Sequence, residues 1–269
     1  MKVQGMKQLL QFWKDIEDEY SYNNIIDLRK QSYIPFIGSG MSVPFGYTDW
    51  SGFLSSVINE YYDQGEKTHA EFDKLLAQGE YLTLAEKINI KLNYGIAEEV
   101  RKAFHINKII PLPSENNYLR LLWNAGIKTL VTTNFDSVIE KNTGISADSI
   151  YLPSNLINSG DAIEAIRTGK GGLIKLHGTW NKAESVILTE TDFNRAYCKE
   201  NTALTTTVDY LWNSSVLLFL GCGLKKDYLV DRMSHLAGKG KQNWHYAVLA
   251  YPKVGAKQVK LDGLSPQMG

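Results

Sequence analysis

Three short islands carry the residue types that could do chemistry: Gly38-Ser39-Gly40-Met41-Ser42, Thr132-Thr133-Asn134-Phe135-Asp136 and Lys175-Leu176-His177-Gly178. A glycine pair lets the backbone turn sharply and approach a ligand closely. The loop amides, with the Ser39 and Ser42 hydroxyls, suit a diphosphate. Asn134 both donates and accepts hydrogen bonds, so it can hold a ribose hydroxyl and a water together; its plainer reading is a turn residue. Asp136 can bond a ribose hydroxyl, or it can cap the start of a following helix. His177 supplies a general base near neutral pH, unless it only fills a structural position. A fourth segment, Gly221-Cys222-Gly223, reads as a second nucleotide loop with Asp227 just beyond it. A strand-to-helix turn with a helix-start carboxylate is the alternative there.

Each segment follows an apolar run that reads as a buried strand: 33–37, 127–131, 172–176 and 216–220, with further strands at 149–152 and 244–250. Helices alternate with them. One runs from Trp50 to Tyr61 with Asp49 as its N-cap, and others span 119–125, 135–141, 161–167 and 228–236. Residues 8–20 form an amphipathic packing helix by their apolar spacing. Continuous apolar strands alternating with helices predict an α/β fold with a doubly wound, mostly parallel, Rossmann-like sheet. Ligands in such sheets bind beyond the carboxyl ends of the strands, where the islands lie. Residues 66–108 break the rhythm: they hold helical patterns at 71–76, 81–90 and 96–104 and read as a helical insertion. The other histidines (His69, His105, His235, His245) fall in expected helices or the last strand, so His177 stands apart.

The 269 residues suit one large domain. Twenty-nine basic residues balance 29 acidic ones, which argues against direct nucleic-acid binding. The sequence has only two cysteines, Cys198 and Cys222, too few for a four-cysteine zinc site or a disulfide framework. No run approaches a membrane span and the first residues lack a signal-peptide core, so a cytoplasmic chain is expected. The segment after Pro252 loses its pattern and reads as a domain edge. That leaves open that the single domain is the N-terminal part of a longer protein. The usual dinucleotide fingerprint fails because Val43 stands at its third glycine, and the lysine of a P-loop is absent.

In order, Gly-x-Gly-x-Ser, Thr-Thr-Asn-x-Asp, Lys-Leu-His-Gly and a late Gly-x-Gly resemble the sirtuin fold over roughly residues 30–250. The set looks closest to the sirtuin-like domains of bacterial anti-phage defence proteins, Thoeris-type NADases and their relatives. The resemblance implies that Gly38, Ser39, Gly40 and Ser42 hold the diphosphate of NAD. It implies that Asn134 orders the nicotinamide ribose and a water, that Asp136 is a further cofactor contact, and that His177 is the family histidine. Gly221, Cys222 and Gly223 would lie near the adenosine, with Asp227 matching an aspartate of the defence branch. Protein-deacylating sirtuins usually have alanine at the place of Ser39, a Gly-Ile-Pro-Asp-Phe-Arg segment of which residues 46–51 keep only part, and a zinc ribbon that two cysteines cannot build.

The expectation is therefore an NAD hydrolase that releases nicotinamide and ADP-ribose, with Asn134 and His177 catalytic, NAD as substrate and no prosthetic group or metal. Depletion of NAD in anti-phage defence, a homo-oligomer, and a phage-derived or nucleotide trigger acting through another domain or protein follow from the same resemblance. NAD-dependent deacylation, ADP-ribosyl transfer and non-catalytic binding of NAD or ADP-ribose are the competing functions.

Overall fold

A computed structural model describes residues 32–113, 116–153, 159–199, 202–223 and 245–248. The expected helices at 8–20 and 228–236 lie outside the described residues, as does Asp227.

Six parallel strands form one sheet in the order β3-β4-β2-β1-β5-β6. They are β1 (Tyr33–Ile37), β2 (Thr129–Thr132), β3 (Ile150–Tyr151), β4 (Gly172–Lys175), β5 (Val216–Leu220) and β6 (Tyr246–Val248). β1 sits between β2 and β5, with Ile37 opposite Thr132 on one side and Leu220 on the other. The chain fills one flank through β2, β3 and β4, then crosses to β5 and β6 on the other. The reversal falls beside β1, which is where doubly wound sheets open a crevice for ligands.

Alternating side chains feed two separate cores. Ile37, Leu130, Leu173, Leu218 and Leu220 face one of them. Six helices cover that face: α1 (Trp50–Tyr61), α2 (Lys67–Gln78), α3 (Tyr81–Lys91), α4 (Ile96–Ala103), α5 (Tyr118–Asn124) and α6 (Val138–Thr143). Ile34, Phe36, Val131, Ile174, Leu217 and Phe219 face the other core. That face meets α7 (Ser159–Thr168), α8 (Glu190–Tyr197) and α9 (Ala203–Ser214). Burial on both faces explains why β5 reads as an unbroken apolar run and why β2 and β4 hold Leu130-Val131 and Leu173-Ile174 at their centres.

Asp49 caps α1 as expected, its carboxylate accepting from Gly52 N at 2.8 Å. The helical segment at 66–108 resolves into α2, α3 and α4, which pack Phe72, Leu84, Ile88 and Val100 into the first core. α6 begins at Val138 rather than at 135, because the intervening residues form the turn that carries Asn134 and Asp136. Two helices went unread in the sequence, α8 and α9. Each opens with a capping box, Thr189 with Asp192 and Thr202 with Thr205. His105 follows α4 and caps a 3-10 turn, and His245 precedes β6, so neither sits inside the element expected of it.

Candidate active site at the strand ends

The glycine loop after β1 and the one after β5 are docked on each other. Gly38 N donates to Leu220 O at 2.9 Å, and Gly40 N donates to Gly221 O at 3.0 Å. The approach needs glycine: a Cβ on Gly38 would lie 2.5 Å from Gly221 O and 2.7 Å from Cys222 Cα. Met41 N and Ser42 N turn back onto Gly38 O and Ser39 O, which makes a 3-10 turn at Ser39–Met41. The amides of Gly38, Gly40, Met41 and Ser42 are thus engaged within the protein. The loop offers a ligand the half-buried Ser39 and the exposed backbone of Gly40 rather than a row of free amides.

Asn134 ties this loop to the end of β2. Its Nδ2 donates to Gly38 O at 3.0 Å and to Ser42 Oγ at 3.0 Å. The carbonyl can only accept, so the amide orientation is fixed by its partner. Both Nδ2 protons are then used, while Oδ1 has no hydrogen bond among the described residues and is left to accept from a ligand. Thr132 braces the same corner. Its hydroxyl donates to Ile37 O at 2.7 Å and accepts from Asn134 N at 3.0 Å.

Asp136 is buried, and Oδ1 accepts from Val138 N at 2.9 Å at the entrance of α6. Burial pushes its carboxyl above the usual range; the nearby Lys175 ammonium and the hydrogen bonds from Val138 and Ser42 oppose that push. Asp136 therefore holds the helix start and also lines the cleft. The loop after β4 clamps this turn from the other side. Trp180 N donates to Phe135 O at 3.0 Å, and its indole donates to Ser137 Oγ at 2.9 Å.

A cleft opens between these loops and the first turn of α1. Ser39, Thr48, Trp50, Phe104, Thr133, Asn134, Phe135 and Asp136 line it. The structure thus brings Ser39, Asn134 and Asp136 to one surface, with Gly38 and Ser42 bonded to Asn134, and Gly38 and Gly40 packed on the Gly221-Cys222 loop.

His177 is not part of that surface. It is buried against Phe193 (centroids 4.9 Å apart) and Tyr197 (6.0 Å) of α8. Neither ring nitrogen has a hydrogen-bond partner among the described residues. Burial without a partner lowers its pKa to about 3, so the ring is neutral at neutral pH. Trp50 stands edge-on to Phe193, with centroids 6.5 Å apart, between the cleft and the histidine's packing partners. The backbone beside it is specialised: Gly178 has φ +88°, and a Cβ there would lie 2.1 Å from Ser185 O.

A family model described as "SIR2-like domain" matches residues 128–265, just over half of the chain. The chain belongs to the SIR2-like family. The matched stretch of this SIR2-like chain holds Asn134, Asp136, His177 and Gly221 to Gly223, while the Gly38 loop precedes it. The sequence is also 24% identical over 232 residues to "NAD(+) hydrolase ThsA" of Acinetobacter baumannii (strain 532279). That similarity covers 82% of this chain and 43% of the relative, so the chain spans less than half the relative's length.

Three residues of this SIR2-like site had no role in the sequence reading. Thr132 was visible only as part of an island. Trp180 had a weak signal, an aromatic three residues beyond His177. Lys175 had a clearer one: a lysine at a strand position where alternation from Leu173 calls for an apolar side chain. Among the described residues, no group of three or more His, Cys, Asp or Glu could hold a metal ion, and no helix is long and apolar enough to cross a membrane.

Proposed function

We propose that this chain hydrolyses NAD at the nicotinamide–ribose bond, giving nicotinamide and ADP-ribose. One observation carries the reading: Asn134 lines the cleft and is locked by both its N–H groups to the glycine loop, with Oδ1 unbonded among the described residues. Membership of the SIR2-like family and the similarity to an NAD hydrolase support it.

The nicotinamide nitrogen of NAD is cationic, so the bond pair leaves with it and nicotinamide departs neutral. The ribose carbon passes through an oxocarbenium-like state and water adds to it, releasing one proton. Asn134 Oδ1 would accept from a ribose hydroxyl or from that water. Asp136, when ionised, would add negative potential beside the developing positive charge, although burial pushes its carboxyl above the usual range. His177 is neutral and can accept the proton. It does so only in a conformation in which Trp50 or Phe193 has given way, and contact with water or ribose there would bring its pKa back toward neutrality.

The test is to incubate the chain with NAD and measure free nicotinamide. Asn134→Ala is expected to reduce turnover by about 10²-fold or more, in the range of losing one positioned transition-state partner. Full activity in that variant would overturn the assignment. The seclusion of His177 favours one second reading, a module that binds NAD or ADP-ribose without cleaving it; saturable binding with NAD intact after long incubation would favour that reading. Release of nicotinamide only when an acylated peptide is supplied would point instead to deacylation or ADP-ribosyl transfer. With the hydrolase reading go a single domain with a helical insertion at 66–108, a cytoplasmic homo-oligomer, a trigger received through another domain or protein, and NAD depletion in anti-phage defence.

A further inference from the structure

Lys175 sits at the last position of β4, opposite Thr132 of β2, and its side chain is 1% exposed. Its ammonium donates to Glu140 Oε1 at 2.9 Å, to Asp136 O, and to Phe135 O at 3.5 Å. Glu140 is mostly buried too, and its Oε2 has no partner among the described residues. Removing such a pair from water is costly, and well-packed apolar residues in its place are often as stable or more so. Leu173, two residues earlier on the same face, is the local example of what packing alone selects. What the charge adds is a fixed point: one group holds two successive carbonyls of the turn between Asn134 and α6.

We propose that Lys175 is a positioning residue for this site: by binding the carbonyls of Phe135 and Asp136 and the carboxylate of Glu140, it sets the turn that aims Asn134 Oδ1 and Asp136 into the cleft. The chain of contacts is continuous. Lys175 and Trp180 both grip Phe135 O. Phe135 follows Asn134 directly, and Asn134 closes the corner on Gly38 and Ser42. Without the ammonium, the two carbonyls lose a donor they share, and the turn can relax while the Gly38 corner still holds. The catalytic meaning of this placement rests on the hydrolase reading, whereas the placement itself does not.

The test uses Lys175→Met, similar in length but without a donor, and Lys175→Gln, which keeps an N–H donor. In chains labelled with ¹⁵N at asparagine and valine, the Asn134 side-chain amide pair and the Val138 amide are expected to shift or broaden in Lys175→Met. Lys175→Gln should recover them in part. For NAD hydrolysis, kcat should fall about 10-fold or more in Lys175→Met while KM changes less than about threefold, because misplacement by ~1 Å can cost up to ~10²-fold in rate. A folded Lys175→Met chain with unchanged Asn134 signals and unchanged kcat overturns the proposal. If Lys175→Met does not fold, Lys175→Gln takes the same measurements; if neither folds, Lys175 serves the fold alone and the proposal is overturned. Should the unsubstituted chain release no nicotinamide, the amide signals decide the positioning role by themselves.

Discussion

Asn134 and His177 leave neighbouring strand ends with opposite surroundings. Asn134 has both Nδ2 protons and its backbone amide bonded within the protein, its Oδ1 has no hydrogen bond among the described residues, and the residue lines the cleft. Among the described residues, His177 has neither ring nitrogen bonded, and its ring contacts are aromatic side chains. Folding alone orients the first. The second holds two buried polar atoms without a partner among the described residues, at a desolvation cost of about 1–3 kcal/mol each. One strand end is thus a rigid hydrogen-bonded corner, and its neighbour holds a neutral ring packed among aromatic side chains.

If the Asn134 side is rigid because two glycine loops interlock, separating them gives the largest effect. Gly38→Ala places a Cβ within 2.5 Å of Gly221 O and 2.7 Å of Cys222 Cα, and both are backbone atoms that cannot rotate away. The expected loss is about 3 kcal/mol, at the upper end of ordinary overpacking. Urea unfolding measures it, and an unchanged midpoint would show that the loops are not locked together.

Much of this corner was legible in the sequence, and the reason is geometric. Buried parallel strands leave long apolar runs, and the residues just past their ends stand out by type; so the Gly38 loop, Asn134 and Asp136 could be placed at one edge. The alternation also gave the helices at 66–108, whose apolar spacing is regular. Less legible was everything that depends on a partner distant in sequence. Nothing local to Gly40 says that its amide bonds Gly221 O, and nothing local to His177 says that Phe193 and Tyr197 enclose it. α8 and α9 went unread although their capping boxes are written plainly as Thr189 with Asp192 and Thr202 with Thr205. Lys175 was read as one letter of an island, because a sequence does not show whether a lysine at a strand end turns outward or in.

Thr132 offers a sharper cut on the Asn134 side, because its side chain can change without moving the glycines. Thr132→Val keeps the shape and removes the hydroxyl that joins Ile37 O to Asn134 N. Two buried backbone groups are left unpaired, and about 2 kcal/mol of stability should be lost. Thr132→Ser restores the bridge and should recover more than half of that loss. Equal destabilisation by both variants would mean that the methyl group, not the bridge, matters there.

The His177 side makes a prediction that the Asn134 side cannot make, because only it titrates. The folded ring takes its proton only near pH 3, whereas an unfolded chain takes one at about 6.5. Between those values the unfolded state holds the extra proton, so stability rises with pH and is lost as the pH falls. The slope from this one group is at most about 1.4 kcal/mol per pH unit, between roughly pH 6 and pH 4. His245, whose pKa burial lowers to about 4, tilts the profile the same way, while buried Asp136, whose pKa is raised, tilts it oppositely above the ordinary carboxyl range. Comparison with His177→Leu isolates the ring. The variant should show a flatter profile by about that slope and should gain on the parent chain steadily toward acid. Parallel profiles would mean that His177 already meets water in the folded protein. In that case the contrast with Asn134 would vanish, and the histidine would be a base that is exposed from the start.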